Sequence, residues 1–398
     1  MSIVNMAIKI QSKLSKGKQP FFMMSIDEQQ RILKSFKEPL NLIERSYFQY
    51  LCQMKQTPLI LKAIQNLVAA VLTPYYYYKY SQNKTVSYAD KKMGAVFIAG
   101  TKDISYVPET IKNEFEQIYL SDYNDVGQLT IKEKKVIKII YKRYWYKPYF
   151  CLKCMMKIAL YANQIYKYNS KAILTIGEFS FTSSVLTFYC NEIGVEHINI
   201  MHGEKLFNIR DSFVKFDRYY VWDQHYIDLM VKLRAEDKQF RIEKPSVVHF
   251  DIKGHGDYKY DLTYYLGGEN KKDLYNIKAS LLDTRIPLKK ICIRYHPRFS
   301  DEKQIRNIFN CFKIENPNEV PLDVSVSITK FVVSLYSTVL YQAYENGGKI
   351  IIDDLSNPIR YELLKSLNYV MMNKPHILLS ALAGLNKGCS LIMDEVGE

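Results

Sequence analysis

The sequence predicts an α/β fold in which two Rossmann-like domains, each with a parallel sheet, face each other across a cleft behind a helical N-terminal region. Two observations favour this fold class. From Gly94 onward, short β-branched or aromatic runs alternate with helical segments, and parallel strands require such crossover helices. The alternation is interrupted once, by a segment rich in charge, glycine and proline, so we expect two domains of similar size.

The first ninety residues contain helical patterns only. SIDEQQRILKSF begins with Ser25 and has Glu28 three residues later, which is typical of a capping box at a helix start. PLILKAIQNLVAAVL, from Pro58 onward, continues with helical spacing of its apolar residues. We therefore predict a helical region over residues 1–90.

The two α/β domains are predicted over residues 91–240 and 255–398, on either side of a linker in RIEKPSVVHFDIKGHGDYKY. Strands of the first are expected in GAVFIAG, EQIYLSD, KAILTIGE, HINIMHGE and RYYVWDQ. Strands of the second are expected in YDLTYYLGG, KKICIRYHPR, KFVVSLYS and KIIIDD. Open α/β sheets bind ligands beyond the carboxyl ends of their strands, so functional side chains are expected there.

Composition favours a globular protein with reduced thiols. Of the 398 residues, 47% are apolar and 24% are charged, no signal peptide is evident, and no apolar run of ~18 residues lacks polar interruption. We therefore expect no membrane-spanning helix and a cytoplasmic location. Seven cysteines at irregular spacing do not form a disulfide pattern. The lone CxxC, Cys151 to Cys154, has no second ligand pair, so we expect two buried thiols and no metal.

The net charge of +14 implies an anionic partner: nucleic acid, anionic lipid or a phosphorylated substrate. Tyrosine and lysine are interleaved in TPYYYYKYSQNK (73–84) and YKRYWYKPYF (141–150), a composition that suits an anionic membrane surface. RNA stacking or a solvated surface without a partner would have the same composition.

Three segments of the second half indicate phosphate binding. Ser337 and Thr338 stand at the start of the helical stretch TVLYQAYENG, where hydroxyls and unpaired amides suit an oxyanion, although Ser337 could be an N-cap only. Arg294, His296 and Arg298 alternate after an apolar strand, so an extended chain would direct all three to one face as a phosphate clamp. Gly267 and Gly268 follow another strand and would let the backbone approach a ligand.

Two strand ends of the first half carry candidates for a general base. Glu178 follows the strand in TIGEFSFTSS, and His202 follows the strand in NIMHGEKL. A carboxylate or an imidazole in a cleft can remove a hydroxyl proton. The sequence contains none of the motifs GxxxxGK[ST], GxGxxG, GxSxG or HExxH, so the chemistries that they mark are not indicated.

The order of HINIMHGE, RYHPR and SLYSTVLYQA resembles bacterial GT-B glycosyltransferases of surface-polysaccharide synthesis. The His-Pro and Ser-Ser/Thr motifs are similar to those of sialyltransferases and Kdo transferases, which use CMP-activated sugars. His-Gly, His-Pro and Ser-Ser/Thr in this order are also similar to the CDP-glycerol glycerophosphotransferases of teichoic acid synthesis. The similarity spans roughly residues 170–355. The Asp/Glu-Asp/Glu-Gly motif that holds the sialyltransferase base is missing.

The resemblance implies an inverting glycosyltransferase with a CMP-linked sugar donor. The predicted cations at the donor phosphate would replace a divalent ion, so we expect no metal and no further cofactor. His296 would contact the donor phosphate and assist CMP departure, Ser337 and Thr338 would hold that phosphate, and His202 is the candidate base of the teichoic acid group. The first domain would bind an acceptor glycan, with a lipid-linked one at the inner membrane face as one option. A CDP-polyol phosphate transferase and a non-catalytic membrane- or RNA-binding module are the alternatives; with the enzyme, no nucleic-acid partner is expected.

Overall fold

The computed structural model describes residues 24–84, 94–98, 103–121, 127–249 and 258–383. The chain forms two compact units: Met1–His202 with Phe207–Ser246, and Gly203–Leu206 with Val247–Glu398. Each unit contains one six-stranded sheet in which every strand pair is parallel, with helices in the crossovers. The predicted α/β class with two parallel sheets is confirmed. The predicted linker overlaps the division at Ser246, but residues 250–257 lie outside the described part.

The sheet of the first unit has the order β2-β1-β3-β4-β5-β6. Its strands are β1 (Ala95–Ile98), β2 (Ile118–Ser121), β3 (Ala172–Thr175), β4 (Glu196–Ile200), β5 (Arg218–Val221) and β6 (Phe240–Ile242). Its helices are α1 (Ile26–Lys34), α2 (Leu42–Lys55), α3 (Leu59–Gln82), α4 (Glu109–Glu114), α5 (Ile131–Tyr144), α6 (Pro148–Tyr168), α7 (Ser183–Glu192) and α8 (Gln224–Lys232). The first five strands lie in the predicted runs.

The N-terminal helices pack into the first unit instead of forming a region apart. Ser25 caps α1, as predicted, because its hydroxyl accepts from the Glu28 amide at 3.2 Å. The amide of Val185 in α7 donates to the Ser46 hydroxyl of α2 at 2.7 Å, and Tyr50 of α2 is part of the buried core. Helix α6 crosses the same core and buries both Cys151 and Cys154, as expected, and burial raises the pKa of each thiol.

Helix α3 differs from the rest of this layer. By length and composition alone it could cross a membrane, and among the described residues it is the one helix with that property. We expected none, because Lys62, Gln65 and Asn66 interrupt the apolar run in the sequence. Only Ala69 and Leu72 of this helix are buried. A buried core helix of a protein without a membrane can have the same length and composition.

The sheet of the second unit has the order β12-β11-β10-β7-β8-β9. Its strands are β7 (Tyr260–Tyr265), β8 (Ile291–Arg294), β9 (Lys313–Glu315), β10 (Thr329–Ser334), β11 (Lys349–Ile352) and β12 (Ile377–Leu378). Its helices are α9 (Lys271–Leu282), α10 (Glu302–Ile308), α11 (Leu322–Ser327), α12 (Thr338–Glu345), α13 (Pro358–Ser366) and α14 (Leu379–Ala383). Short 3₁₀ helices occur at Ile104–Tyr106, Ile209–Asp211, Asp237–Gln239, Ser246–Val248, Leu288–Lys290 and Val370–Asn373.

The strand order determines where a ligand site can form in the second unit. The chain builds β7, β8 and β9 in one direction and then returns to build β10, β11 and β12 in the other. The two directions separate between β7 and β10, and this switch point is where doubly wound sheets have a crevice at their carboxyl edge. Residues that follow β7 and β10 therefore flank the crevice of this unit.

Candidate functional site

In the first unit, a polar cluster lies where the neighbouring strands β3 and β4 end. Asn199 is the register partner of Thr175 across these strands. Its side-chain carbonyl accepts from the Gly177 amide at 2.7 Å, and its amide nitrogen donates to Glu178 Oε2 at 3.0 Å. Asn199 thus orients the Glu178 carboxylate from the strand beside it.

The two predicted base candidates, Glu178 and His202, meet in this cluster. His202 Nδ1 lies 3.5 Å from Glu178 Oε1. The Glu178 side chain is fully buried, whereas a quarter of the His202 side chain is exposed. Solvent can therefore reach part of the imidazole, whereas the carboxylate is enclosed behind it. This is the arrangement of a base and the group that orients it.

Further contacts fix the position of Glu178. Gln49 of α2 donates from Nε2 to the Glu178 carbonyl at 3.0 Å and to the Arg210 carbonyl at 2.9 Å. Tyr219 is buried nearby; burial raises the pKa of its hydroxyl, and the Glu178 charge raises it further. Neither Gln49 nor Tyr219 was found by sequence reasoning, because both are distant in sequence and lack a motif.

In the second unit, the turn after β7 lies between two other predicted segments. A Cβ at Gly267 would be 3.7 Å from the Tyr336 carbonyl oxygen, which directly precedes Ser337. A Cβ at Gly268 would be 3.0 Å from the Cβ of Phe299, in the turn after His296. The carboxyl ends of β7, β8 and β10 therefore bring the three predicted phosphate segments together, and Gly268 permits the close approach.

A carboxylate already binds the amides of this glycine turn. Glu269 accepts from the Gly267 amide at 2.9 and 3.0 Å and from the Gly268 amide at 3.1 Å. Burial raises the pKa of Glu269, and the amide hydrogen bonds oppose that shift. The sequence did not indicate this contact. The turn can bind an anionic group, and a ligand phosphate would have to displace Glu269 from it.

His296 has one ring nitrogen committed to its own turn. Its Nδ1 accepts from the amides of Arg298 at 3.0 Å and Phe299 at 3.3 Å, and its ring stacks on Phe299 with centroids 4.4 Å apart. An accepting Nδ1 places the proton of the neutral ring on Nε2. His296 Nε2 is therefore the donor nitrogen of the neutral ring.

The predicted clamp of three aligned cations is wrong in its geometry. Strand β8 ends at Arg294 and the chain turns at residues 297–299, so the extended segment that the prediction required does not form. The Arg294 side chain is buried and pairs with Glu315, its register partner on β9. Arg298 stays exposed on the turn. The sequence could not show Glu315 because its pairing depends on the register of two strands.

Ser337 is the N-cap of α12, the alternative that the sequence left open. Its hydroxyl accepts from the Val339 amide at 3.3 Å, and its carbonyl accepts from the Tyr369 hydroxyl at 3.3 Å. As an N-cap, Ser337 still has a hydroxyl proton to donate. Gly203 lies in the short segment Gly203–Leu206 of the second unit. A Cβ added to Gly203 would be 3.4 Å from Thr338 Oγ1. Thus both hydroxyls stand at the start of a helix.

Asp353 and Asp354 hold the fold of this unit. Asp353 is buried and accepts from the Tyr264 hydroxyl at 2.6 Å and from the amides of Leu355 and Ser356 at 2.9 Å. Asp354 accepts from the Ser380 amide at 2.9 Å. Within the described ranges, no group of three or more His, Cys, Asp or Glu side chains is placed to hold a metal ion.

No family model and no curated protein sequence matches this chain. Among solved structures, it is similar to the UDP-GlcNAc 2-epimerase of Methanocaldococcus jannaschii in complex with UDP-GlcNAc and UDP, with 12% identity, TM-score 0.42 and coverage of 71% of this chain and 94% of that chain. It is also similar to the glycotransferase of kitacinnamycin, with 9% identity, TM-score 0.42 and coverage of 73% of this chain and 87% of that chain. A third similar structure is Anabaena HepE in complex with UDP, with 8% identity, TM-score 0.40 and coverage of 74% of this chain and 98% of that chain. At such similarity, substrates do not transfer between chains.

Proposed function

We propose that this protein is an inverting glycosyltransferase of the GT-B type that uses a nucleotide sugar, with a CMP-linked sugar of the sialic acid or Kdo type as the donor. The single observation that carries the proposal is the pair of Glu178 and His202. A partly exposed imidazole beside a buried carboxylate suits the removal of a proton from an acceptor hydroxyl.

The second unit supports the donor half of the proposal. The glycine turn, the turn at His296 and the start of α12 meet at one sheet edge, where donors can surround a phosphate. In the proposed reaction, His202 takes the acceptor proton and the acceptor oxygen bonds to the anomeric carbon. The bond from that carbon to the nucleotide phosphate breaks, with its electron pair on the phosphate oxygen. His296 Nε2 donates a hydrogen bond there, and the proposal includes no cofactor or metal.

The proposed acceptor is a bacterial surface glycan, with a lipid-linked glycan at the cytoplasmic face of an anionic membrane as one option. The enzyme would then be cytoplasmic and peripheral to that membrane. These assignments rest on the sequence resemblance and on the basic, tyrosine-rich segments. No nucleic acid takes part in the proposed function.

One observation favours a second candidate, a CDP-polyol phosphate transferase of the teichoic acid type. The exposed member of the pair is His202, of the His-Gly motif, and that histidine is the candidate base in the teichoic acid group, whereas sialyltransferases use a carboxylate. In this reaction the acceptor oxygen would attack phosphorus instead of carbon, and CMP would leave.

A nucleotide panel tests the proposal and separates the two candidates. Thermal unfolding would be followed with CMP, a CMP-sugar, UDP, a UDP-sugar and CDP-glycerol. A ligand at about 100 times its dissociation constant stabilises the folded state by about 2.7 kcal/mol, which is measurable as a shift in Tm. A shift with CMP and CMP-sugars supports the first candidate, and one with CDP-glycerol alone supports the second. A shift with UDP compounds alone rejects the CMP donor, and no shift with any compound rejects both candidates.

A further inference from the structure

Helix α3 presents an apolar stripe to the outside of the first unit. The α3 stripe consists of Ile60, Ile64, Leu67, Val71, Tyr75 and Tyr78, spaced by three or four residues so that they share one face. All six are exposed, and Ile60, Leu67 and Tyr78 are exposed by 77%, 69% and 68%. The stripe runs for about 27 Å along the helix axis. An apolar face of this length is typical of an interaction site.

The opposite side of α3 is fixed to the unit along its length. The Tyr149 amide donates to Asn66 Oδ1 at 3.3 Å, and the Tyr141 hydroxyl donates to Thr73 Oγ1 at 3.3 Å. Toward the C-terminal end, the Leu129 amide donates to the Tyr80 carbonyl at 3.0 Å. If α3 spanned a membrane with these contacts intact, polar groups of α5 and α6 would have to enter the lipid as well, which is unfavourable. The geometry instead suits a helix that lies in the plane of an interface.

Helix α5 lies beside α3 and gives this surface its charge. Lys134 Nζ is 5.7 Å from the centre of the Tyr77 ring, which places α5 next to the C-terminal half of α3. Helix α5 contains six lysine and arginine residues and one glutamate, Glu133. That glutamate is buried and accepts from the hydroxyls of Tyr166 and Tyr189, so its charge points inward.

Three exposed lysines of α5 share one face: Lys135, Lys138 and Lys142. Ile139 is exposed between them. Arg143 is committed elsewhere, since it pairs with Glu44 at 2.9 Å. Beyond α5, Trp145 is 71% exposed in the turn that leads to α6. An indole at the edge of an apolar and basic surface is the arrangement found at the headgroup level of a bilayer.

We infer that the α3 stripe and the lysine face of α5 together dock the protein on an anionic lipid bilayer, with α3 lying in the interface. Apolar side chains enter the acyl boundary while lysines meet lipid phosphates. An RNA would use the lysines but would leave the aliphatic stripe in water, so the observations favour lipid. The inference deepens the proposed function, because docking on a membrane would bring the enzyme within reach of a lipid-linked acceptor. Only this link to an acceptor rests on the proposed function.

Vesicle co-sedimentation of the full chain tests this inference. The vesicles are equal parts phosphatidylcholine and phosphatidylglycerol, compared with phosphatidylcholine alone. One variant combines Ile60→Gln, Leu67→Gln and Tyr78→Gln; a second combines Lys135→Gln, Lys138→Gln and Lys142→Gln. Matched controls make the same changes at exposed positions elsewhere. One combines Ile359→Gln, Leu282→Gln and Tyr275→Gln, and the other combines Lys238→Gln, Lys289→Gln and Lys303→Gln.

We expect the wild type to bind anionic vesicles and to lose binding as salt rises. The stripe variant should bind at least tenfold more weakly at every salt concentration, because its substitutions remove apolar contacts with lipid, which salt does not screen. The lysine variant should lose on the order of a hundredfold at low salt and show a flatter salt dependence, since each lysine near the surface contributes roughly fivefold. Both control variants should bind like the wild type.

Three results of the vesicle and sedimentation measurements would overturn the inference. They are no binding of the wild type to anionic vesicles, unchanged binding of the stripe variant, and a wild-type dimer in sedimentation velocity that the stripe variant alone abolishes without any lipid binding. Binding of single-stranded RNA in place of vesicles would overturn it too. Nucleotide binding measured on the same variants separates this test from the proposed function, because the stripe is remote in sequence from every proposed nucleotide contact.

Discussion

The imidazole of His202 and the carboxylate of Glu178 lie 3.5 Å apart, Nδ1 to Oε1, although 24 positions separate them in the chain. The strands that precede them, β3 and β4, are neighbours in the parallel sheet, so their carboxyl ends meet. Two residues that the sequence offered as alternative bases thus become parts of one arrangement, with the histidine partly exposed and the glutamate buried behind it.

The first prediction concerns this pair. His202→Ala should lower the rate at saturating donor and acceptor by about a hundredfold or more, with nearly unchanged donor affinity, because general-base catalysis contributes that much. Glu178→Gln keeps the shape and the contact with Asn199 but removes the charge, so it should cause a smaller loss. In the double variant the losses should be less than additive. Turnover by His202→Ala near the wild-type rate would exclude this site.

The second prediction concerns the phosphate contact of His296. Asparagine can replace Nδ1 as the acceptor for the Arg298 amide, so His296→Asn should preserve the turn while removing the Nε2 donor. Loss of one charge-assisted hydrogen bond to phosphate should weaken nucleotide binding by roughly 1.5 to 3 kcal/mol. Isothermal titration with the nucleotide that stabilises the wild type measures this. Equal affinity in a folded His296→Asn variant would contradict the proposed role.

The third prediction uses the carboxylate that binds the glycine turn. If a ligand phosphate binds the amides of Gly267 and Gly268, it competes with the Glu269 carboxylate. A charged acceptor binds amides more strongly than a neutral one, so Glu269→Gln should weaken this competition. We expect the variant to bind the nucleotide about tenfold more tightly. Glu362→Gln, at an exposed position of the same unit, is the control. Weaker binding by Glu269→Gln would mean that Glu269 supports the ligand instead of competing with it.

A fourth prediction compares the two glycines. An added Cβ at Gly268 would press on the Cβ of Phe299 at 3.0 Å, whereas one at Gly267 would meet the flexible Glu269 carboxylate at 3.4 Å. Gly268→Ala should therefore shift the His296 turn, weaken nucleotide binding and destabilise the protein by about 1 kcal/mol. Gly267→Ala should have the smaller effect on stability in urea unfolding. The opposite ranking would show that these turns do not pack as described.

The fifth prediction concerns acid stability. His197 on β4 is fully buried between the hydroxyls of Tyr161 and Thr187, and burial lowers its pKa to about 3. Between that value and the ordinary histidine pKa of about 6.5, the unfolded chain binds a proton that the folded protein does not. This group's contribution to stability is therefore present above about pH 6.5 and is lost as the pH falls toward 3.

Urea unfolding across this pH range measures the effect. His197 should contribute a slope of up to about 1.4 kcal/mol per pH unit. The variant His197→Asn, which cannot titrate, should unfold at lower urea overall but with a flatter pH dependence. A wild type and variant with parallel pH profiles would show that His197 does not stay neutral when buried.

The sequence by itself determined the class of fold and the places where chemistry could lie. Alternating apolar strands and helical segments specify parallel sheets, and each of the nine runs that we predicted as strands contains a strand in the structure. The strands that it missed, β6, β9 and β12, have only three, three and two residues, too few for a period to be visible. The N-cap role of Ser337 could also be predicted from the sequence, because capping is a local interaction.

The tertiary structure alone decided which of the marked residues meet and in what state. Glu178 became a partner of His202 through strand adjacency, and Arg294 became a buried partner of Glu315 through strand register. Glu269 occupies amides whose availability the glycines had only suggested. The sequence predicted a helix in this segment, and only the packing shows that the α3 stripe is exposed. Local propensity acts within a few residues, whereas burial, ion pairing and exposure depend on elements that the chain brings together from far apart.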